Sequence, residues 1–112
     1  MTCEPGDLAL SPFPYSDLTA YKKRPVLALT GPDRHGDFIA LAVTSVEQTD
    51  KGLPLTASDL REGVLPKPSW IRLDKVFTLS VGSIAKIIGH LEPQTLERAI
   101  GGLCRSVGYD RG

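Results

Sequence analysis

The chain has 112 residues, 41% of them apolar and 23% charged, with 13 Lys+Arg set against 13 Asp+Glu. That length carries one modest core and not two, and the composition is that of an ordinary folded domain rather than a disordered tail; no apolar run approaches the ~20 residues of a bilayer span. A formal net charge of zero disfavours a nucleic-acid partner held by bulk charge, so any phosphate site has to be a local patch.

In chain order, with 11 Gly and 9 Pro implying short elements and many turns, residues 1–112 read as one continuous domain without repeats or linkers. Residues 7–13 alternate, with Leu8 and Leu10 on one face, and predict a first strand ended by Pro12-Phe13-Pro14. A polar loop follows to Lys23. Residues 25–30 (PVLALT) and 38–44 (FIALAVT) are nearly continuous apolar runs around a Gly/Pro/Asp-rich turn, and predict a hairpin of two buried strands. A symmetric loop over residues 31–37 pairs residues whose numbers add to 68, which sets Arg24 opposite Thr44 at one sheet edge. Residues 53–56 predict a weak strand, 59–63 a turn or one helical turn, and 69–73 and 84–89 two further strands. Residues 93–107 carry Leu96, Ala99, Ile100, Leu103 and Val107 at helical spacing behind Glu92 as candidate N-cap and Pro93 at N1. Gly101-Gly102 inside that helix has to be compensated by packing or by close approach to another backbone.

The two cysteines, Cys3 and Cys104, stand at opposite ends of the chain and outside any C-x-x-C pair, and no signal-like segment precedes the first strand. Both read as reduced thiols of a cytoplasmic protein, with no metal or other cofactor implied. The two histidines are the side chains that could in principle supply both acid and base near neutral pH. His35 falls in the hairpin turn at the far end from Arg24, however, roughly 20 Å away at ~3.3 Å per residue. His90 follows an apolar strand and reads as a packed or hydrogen-bonded structural residue.

Gly6-Asp7-Leu-Ala-Leu-Ser-Pro-Phe-Pro-Tyr-Ser-Asp-Leu, then Lys23-Arg24-Pro25-Val-Leu-Ala-Leu, Ala42-Val-Thr44-Ser45 and Ser69-Trp70-Ile71-Arg72-Leu73-Asp74-Lys75 with Thr78-Leu79 occur in this order along the chain. The ordered set resembles the PemK-like branch of the MazF/PemK toxins over nearly the whole sequence. The resemblance implies a mainly β, small SH3-like, partly open barrel with a C-terminal helix, working as a homodimer. It also implies a type II toxin that cuts single-stranded RNA without a metal, through 2′-hydroxyl attack to a 2′,3′-cyclic phosphate, and that a cognate antitoxin blocks.

On that resemblance Arg24 matches the catalytic arginine and Thr44 the catalytic threonine, with Ser45 as helper. A guanidinium can hold two phosphate oxygens and keeps its charge at any working pH, and a threonine hydroxyl can donate to a non-bridging oxygen while accepting from another group. Many MazF-type members carry a glutamate in the loop before the arginine; here Asp17 is the only carboxylate of that loop and the nominated base. RNA contacts fall to Lys22, Lys23, Arg72 and Lys75, with Tyr15, Tyr21 or Trp70 as stacking surfaces. Two alternatives from another class stay open: a non-catalytic barrel that only binds, or a CcdB-like protein acting on DNA gyrase. Net zero charge with a local Lys22-Lys23-Arg24 run predicts a localised groove whose RNA affinity falls readily with salt.

Overall fold

The computed structural model describes residues 2–12 and 23–109. Seven strands, β1 (Asp7–Pro12), β2 (Lys23–Ala28), β3 (Asp37–Thr44), β4 (Gly52–Leu55), β5 (Leu60–Gly63), β6 (Ser69–Ser80) and β7 (Lys86–Leu91), precede one helix, α1 (Pro93–Ser106). They form a single antiparallel sheet in the order β4-β6-β3-β2-β1-β7-β5. Among the described residues β4 and β5 do not pair with each other, so the curled sheet is an open half-barrel. This is the mainly β architecture with a C-terminal helix that the sequence predicts.

The central strands read as continuous apolar runs because both of their faces are covered. Ala9, Val26, Ala28, Phe38 and Ala40 join one buried cluster, closed by Phe77, Leu79, Val81, Ile84 and Ile87. Their alternates Leu8, Leu27, Leu41 and Val43 join a second, with Leu55, Ile71, Leu91 and the helix residues Ala99, Leu96 and Leu103. The hairpin register is as predicted: Val26 pairs with Ala42, Leu27 with Leu41 and Ala28 with Ala40.

Pro12 is the last residue of β1, opposite Lys23, while Phe13 and Pro14 lie outside the described residues. Two expectations need correction. Residues 59–63 are not a turn alone: a short 3₁₀ segment, Ala57–Asp59, leads into edge strand β5, which pairs with β7. Charged Arg61 and Glu62 mask β5 in the sequence, and such residues suit an edge. The strand expected over 69–73 runs on to Ser80. Its register against β3 steps between Ile71, opposite Val43, and Val76, opposite Leu41. The bulge switches faces, so Ile71 and Leu73 serve the helix-side cluster while Phe77 and Leu79 serve the other. For the glycine pair of the helix, packing is the compensation at Gly102, which meets the Leu73 side chain.

Candidate active-site groove

The strand ends bring together what the chain separates. A cavity of about 600 Å³ is lined by Lys23, Arg24 and Pro25 of β2, Val43, Thr44 and Ser45 at the end of β3, and Leu10 of β1. Its opposite wall comes from residues 63–67, Ser69 and the start of β7, Lys86, Ile87 and Ile88. The volume falls within the range of small-ligand sites. Arg24 pairs with Ser11, and the register that joins Val26 to Ala42 carries Arg24 and Thr44 to the same edge.

Thr44 is half-buried, and its Oγ1 accepts a hydrogen bond from the Val46 N–H at 3.1 Å. That bond holds the side chain in place and leaves the hydroxyl proton to a ligand. Ser45 and Arg24 are exposed within the same cavity, as is Lys23. Ser69, nearly buried, donates its hydroxyl to the Lys67 carbonyl at 3.0 Å and so fixes one end of the far wall. The other end is fixed at Gly63, whose positive φ and close approach to Ile88 and Gly89 exclude any side chain.

The charge distribution is lopsided. Among the described lining residues are four cations, Lys23, Arg24, Lys67 and Lys86, and no carboxylate. Carboxylates collect elsewhere: Glu4, Asp7 and Glu62 line a recess of about 290 Å³ with Arg61 and His90. Glu47, Asp50 and Asp74 line another of about 390 Å³. A chain of zero net charge therefore carries a groove of one sign, the condition for focusing an anionic ligand there.

The other residues that the sequence nominates divide. Tyr15, Asp17, Tyr21 and Lys22 lie outside the described residues. Arg72 and Lys75 do not line the groove; they occupy the stretch where β6 steps out of register, and Arg72 pairs across the strands with Gly52 and has Asp74 at 3.9 Å. Trp70, half-buried opposite Thr44, is not a lining residue either. His35 sits in the hairpin turn beside Arg34, and His90 is bonded through Nδ1 to Asp7 Oδ1 at 2.8 Å, the structural role its position suggests. Lys67 and Lys86 escape a reading by motif, because they reach the groove from remote segments. The only local signal is the turn-rich Gly63-Val-Leu-Pro-Lys-Pro68 run.

A family model for PemK-like, MazF-like toxins of type II toxin-antitoxin systems matches residues 4–107. The chain belongs to this family. No curated protein matches it. Among solved structures this PemK-like toxin is similar to a mycobacterial endoribonuclease in complex with its cognate antitoxin. That match has a TM-score of 0.76 at 18% identity and covers 98% of this chain and 99% of that one. It is also similar to MazE–MazF from Deinococcus radiodurans, with a TM-score of 0.74 at 19% identity over 98% and 99% of the two chains. The Mycobacterium tuberculosis toxin MazF-mt6 gives 0.68 at 21% identity over 93% and 98%. At these identities the likeness is one of fold, and it spans essentially whole chains on both sides. No helix among the described residues is long and apolar enough to cross a membrane.

Proposed function

We propose that this PemK-like toxin is a cytoplasmic endoribonuclease that cuts single-stranded RNA by internal 2′-hydroxyl attack. What carries the reading is the convergence of Arg24, Thr44 and Ser45 in one cationic groove of a chain matched by the toxin family along most of its length. The ribose hydroxyl is already part of the substrate, so the protein has only to orient it, accept its proton and stabilise the phosphorane. Arg24 holds two non-bridging oxygens and Thr44 donates to one of them, with Ser45 beside it. As the P–O5′ bond breaks, a 2′,3′-cyclic phosphate remains on one fragment and the 5′-oxygen leaves, taking up a proton.

The nominated proton acceptor is Asp17, the one carboxylate of the sequence between Ser16 and Lys23. RNA contacts extend from the groove to Lys22, Arg72 and Lys75 and to Tyr15. The working form is a homodimer, and the cognate antitoxin inhibits by covering the groove.

The test is incubation of the purified protein with single-stranded RNA in EDTA, beside Arg24→Ala. Cleavage by the parent with 2′,3′-cyclic phosphate ends, reduced about 100- to 1,000-fold in the variant, supports the mechanism. Equal cleavage by both overturns the role of Arg24, and no cleavage by the parent overturns the reading and returns the site to a non-catalytic binding module.

A further inference from the structure

The far wall of the groove carries two lysines to which no sequence motif gives a role. Lys86 opens β7 and Lys67 lies on the loop before β6; both are exposed, both line the cavity, and neither has a carboxylate partner among the described residues. Their placement is built rather than incidental. Leu10 pairs with Pro25 on one side and with Lys86 on the other, which makes Pro25, Leu10 and Lys86 one transverse row of the sheet. Two strand spacings put the backbone of Lys86 about 10 Å from that of Pro25, the residue after Arg24. The Lys67 backbone is pinned by the Ser69 hydroxyl at 3.0 Å, and its loop is tied to β7 where the Val64 N–H reaches the Ile88 carbonyl at 3.4 Å. Between the two cationic walls lies an apolar floor of Leu10, Pro25, Val43, Leu65 and Ile87.

Cations around one cavity repel one another, and the described lining holds no carboxylate. Such a field favours an anion between the walls. Building on the proposed RNA cleavage, we infer that Lys86 and Lys67 hold the backbone phosphate next to the scissile one, so that the groove grips two consecutive phosphates across an apolar floor on which the intervening nucleotide rests. Arg24 then acts at the reacting phosphate, and the lysines act as positioning residues that fix the register of the strand. A lysine suits this second post, being a mobile point charge without the geometric demands of a guanidinium.

The experiment follows binding of a fluorescent single-stranded probe with 2′-O-methyl ribose, which lacks the nucleophile, across a salt series, together with cleavage kinetics on unmodified RNA. Lys86→Gln and Lys67→Gln are each expected to lower the slope of log K against log[salt] by about 0.7, the value for one phosphate contact on a single strand. Each is expected to raise KM with kcat nearly kept, and Lys86→Arg is expected to restore the slope. Lys51→Gln removes one charge beside the acidic recess of Glu47 and Asp74 and is expected to leave the slope as it is. If the parent cuts RNA and Arg24→Ala does not, yet the lysine variants keep slope and KM, this inference fails while the nuclease reading stands. An equal loss of slope in Lys51→Gln also overturns it, since bulk charge then explains the effect. A parent that neither binds the probe nor cuts RNA removes the nuclease reading and this inference together. Thermal melts of the variants matching the parent establish that the changes are read on folded protein.

Discussion

Gly63 and Ile88 meet so closely, where edge strand β5 lies on β7, that a β-carbon on Gly63 would overlap the Ile88 carbonyl oxygen and stand 2.5 Å from the Gly89 Cα. This contact sets the height of the groove's far wall, because Val64 and Leu65 follow directly. Gly63 also has φ +94°, so alanine there meets both backbone strain and backbone atoms that cannot give way. Gly36, at φ +80° in the hairpin turn, has only the Val81 Cγ2 at 3.5 Å and isolates the strain alone. Gly36→Ala is expected to cost about 1–2 kcal/mol. Gly63→Ala is expected to cost more and to slow RNA cleavage as well, measured by denaturant unfolding and single-turnover kinetics side by side.

Thr44 allows its hydroxyl to be separated from its shape. Thr44→Val keeps the β-branched outline that suits a strand end but removes the oxygen that accepts from Val46. The loss of that bond is expected to cost about 1 kcal/mol of stability, and cleavage is expected to fall by more than tenfold with KM little changed. Thr44→Ser restores the hydroxyl and should recover most of the rate. A valine variant as fast as the parent would remove Thr44 from the chemistry.

What is legible in the sequence depends on how local its cause is. The hairpin register follows from turn composition and two apolar runs, and the structure matches it residue for residue at Val26–Ala42, Leu27–Leu41 and Ala28–Ala40. The helix follows from its 3.6-residue spacing and Pro93. Strand β5 is hidden because an edge strand needs few apolar residues, and Leu60-Arg-Glu-Gly63 offers one. The length of β6 is hidden by the polar Arg72–Lys75 stretch, whose bulge inverts the faces and so breaks any single alternation. One wall of the groove is readable from Arg24, Thr44 and Ser45. The other is not, since Gly63, Lys67 and Lys86 are brought there by the β5–β7 and β1–β7 pairings, which no short-range pattern encodes.

Asp59 ties the helix to the sheet edge and gives a stability prediction independent of the site. Its Oδ2 accepts from the Thr56 N–H at 2.8 Å, while Oδ1 accepts from the Thr95 hydroxyl at 2.9 Å and from Arg98 at 3.1 Å. The carboxylate thus stands at the N-terminal turn of α1, where the helix dipole favours it. Asp59→Ala is expected to destabilise by about 1.5–3 kcal/mol, in part because the buried Thr95 hydroxyl loses its acceptor. Adding Thr95→Val should recover part of that loss in equilibrium unfolding; purely additive losses would show that the Thr95 bond contributes nothing.

The adjacent glycines of α1 are expected to respond oppositely. A β-carbon on Gly101 would touch only the Arg105 guanidinium at 3.4 Å, a flexible end that can move aside. On Gly102 it would stand 2.6 Å from the Leu73 Cδ1, inside the helix-side core. Gly101→Ala should therefore stabilise by about 0.5–1 kcal/mol through helix propensity. Gly102→Ala should lose that gain in displacing Leu73, leaving no increase in melting temperature. Equal stabilisation by both would mean that the Gly102–Leu73 contact places no limit on the helix.

The two thiols separate by environment. Cys3 is 3% exposed, with its Sγ 4.0 Å from the Thr30 carbonyl, whereas Cys104 is half-buried on the helix. Burial, reinforced by the Asp7 carboxylate, holds the Cys3 thiol above its ordinary value, because both disfavour the thiolate. The folded state therefore keeps this proton at pH values where the unfolded chain releases it. The stability this contributes is complete below the unfolded thiol value, about 8.5, and is lost as pH rises through the higher folded value. Iodoacetamide at pH 8 should label Cys104 quickly and Cys3 only at the rate of unfolding. Between pH 8 and 10 the parent should lose unfolding free energy that Cys3→Ala, less stable at the outset, does not. Rapid native labelling of Cys3, or identical pH slopes for the two proteins, would show that the thiol is not held protonated by the core.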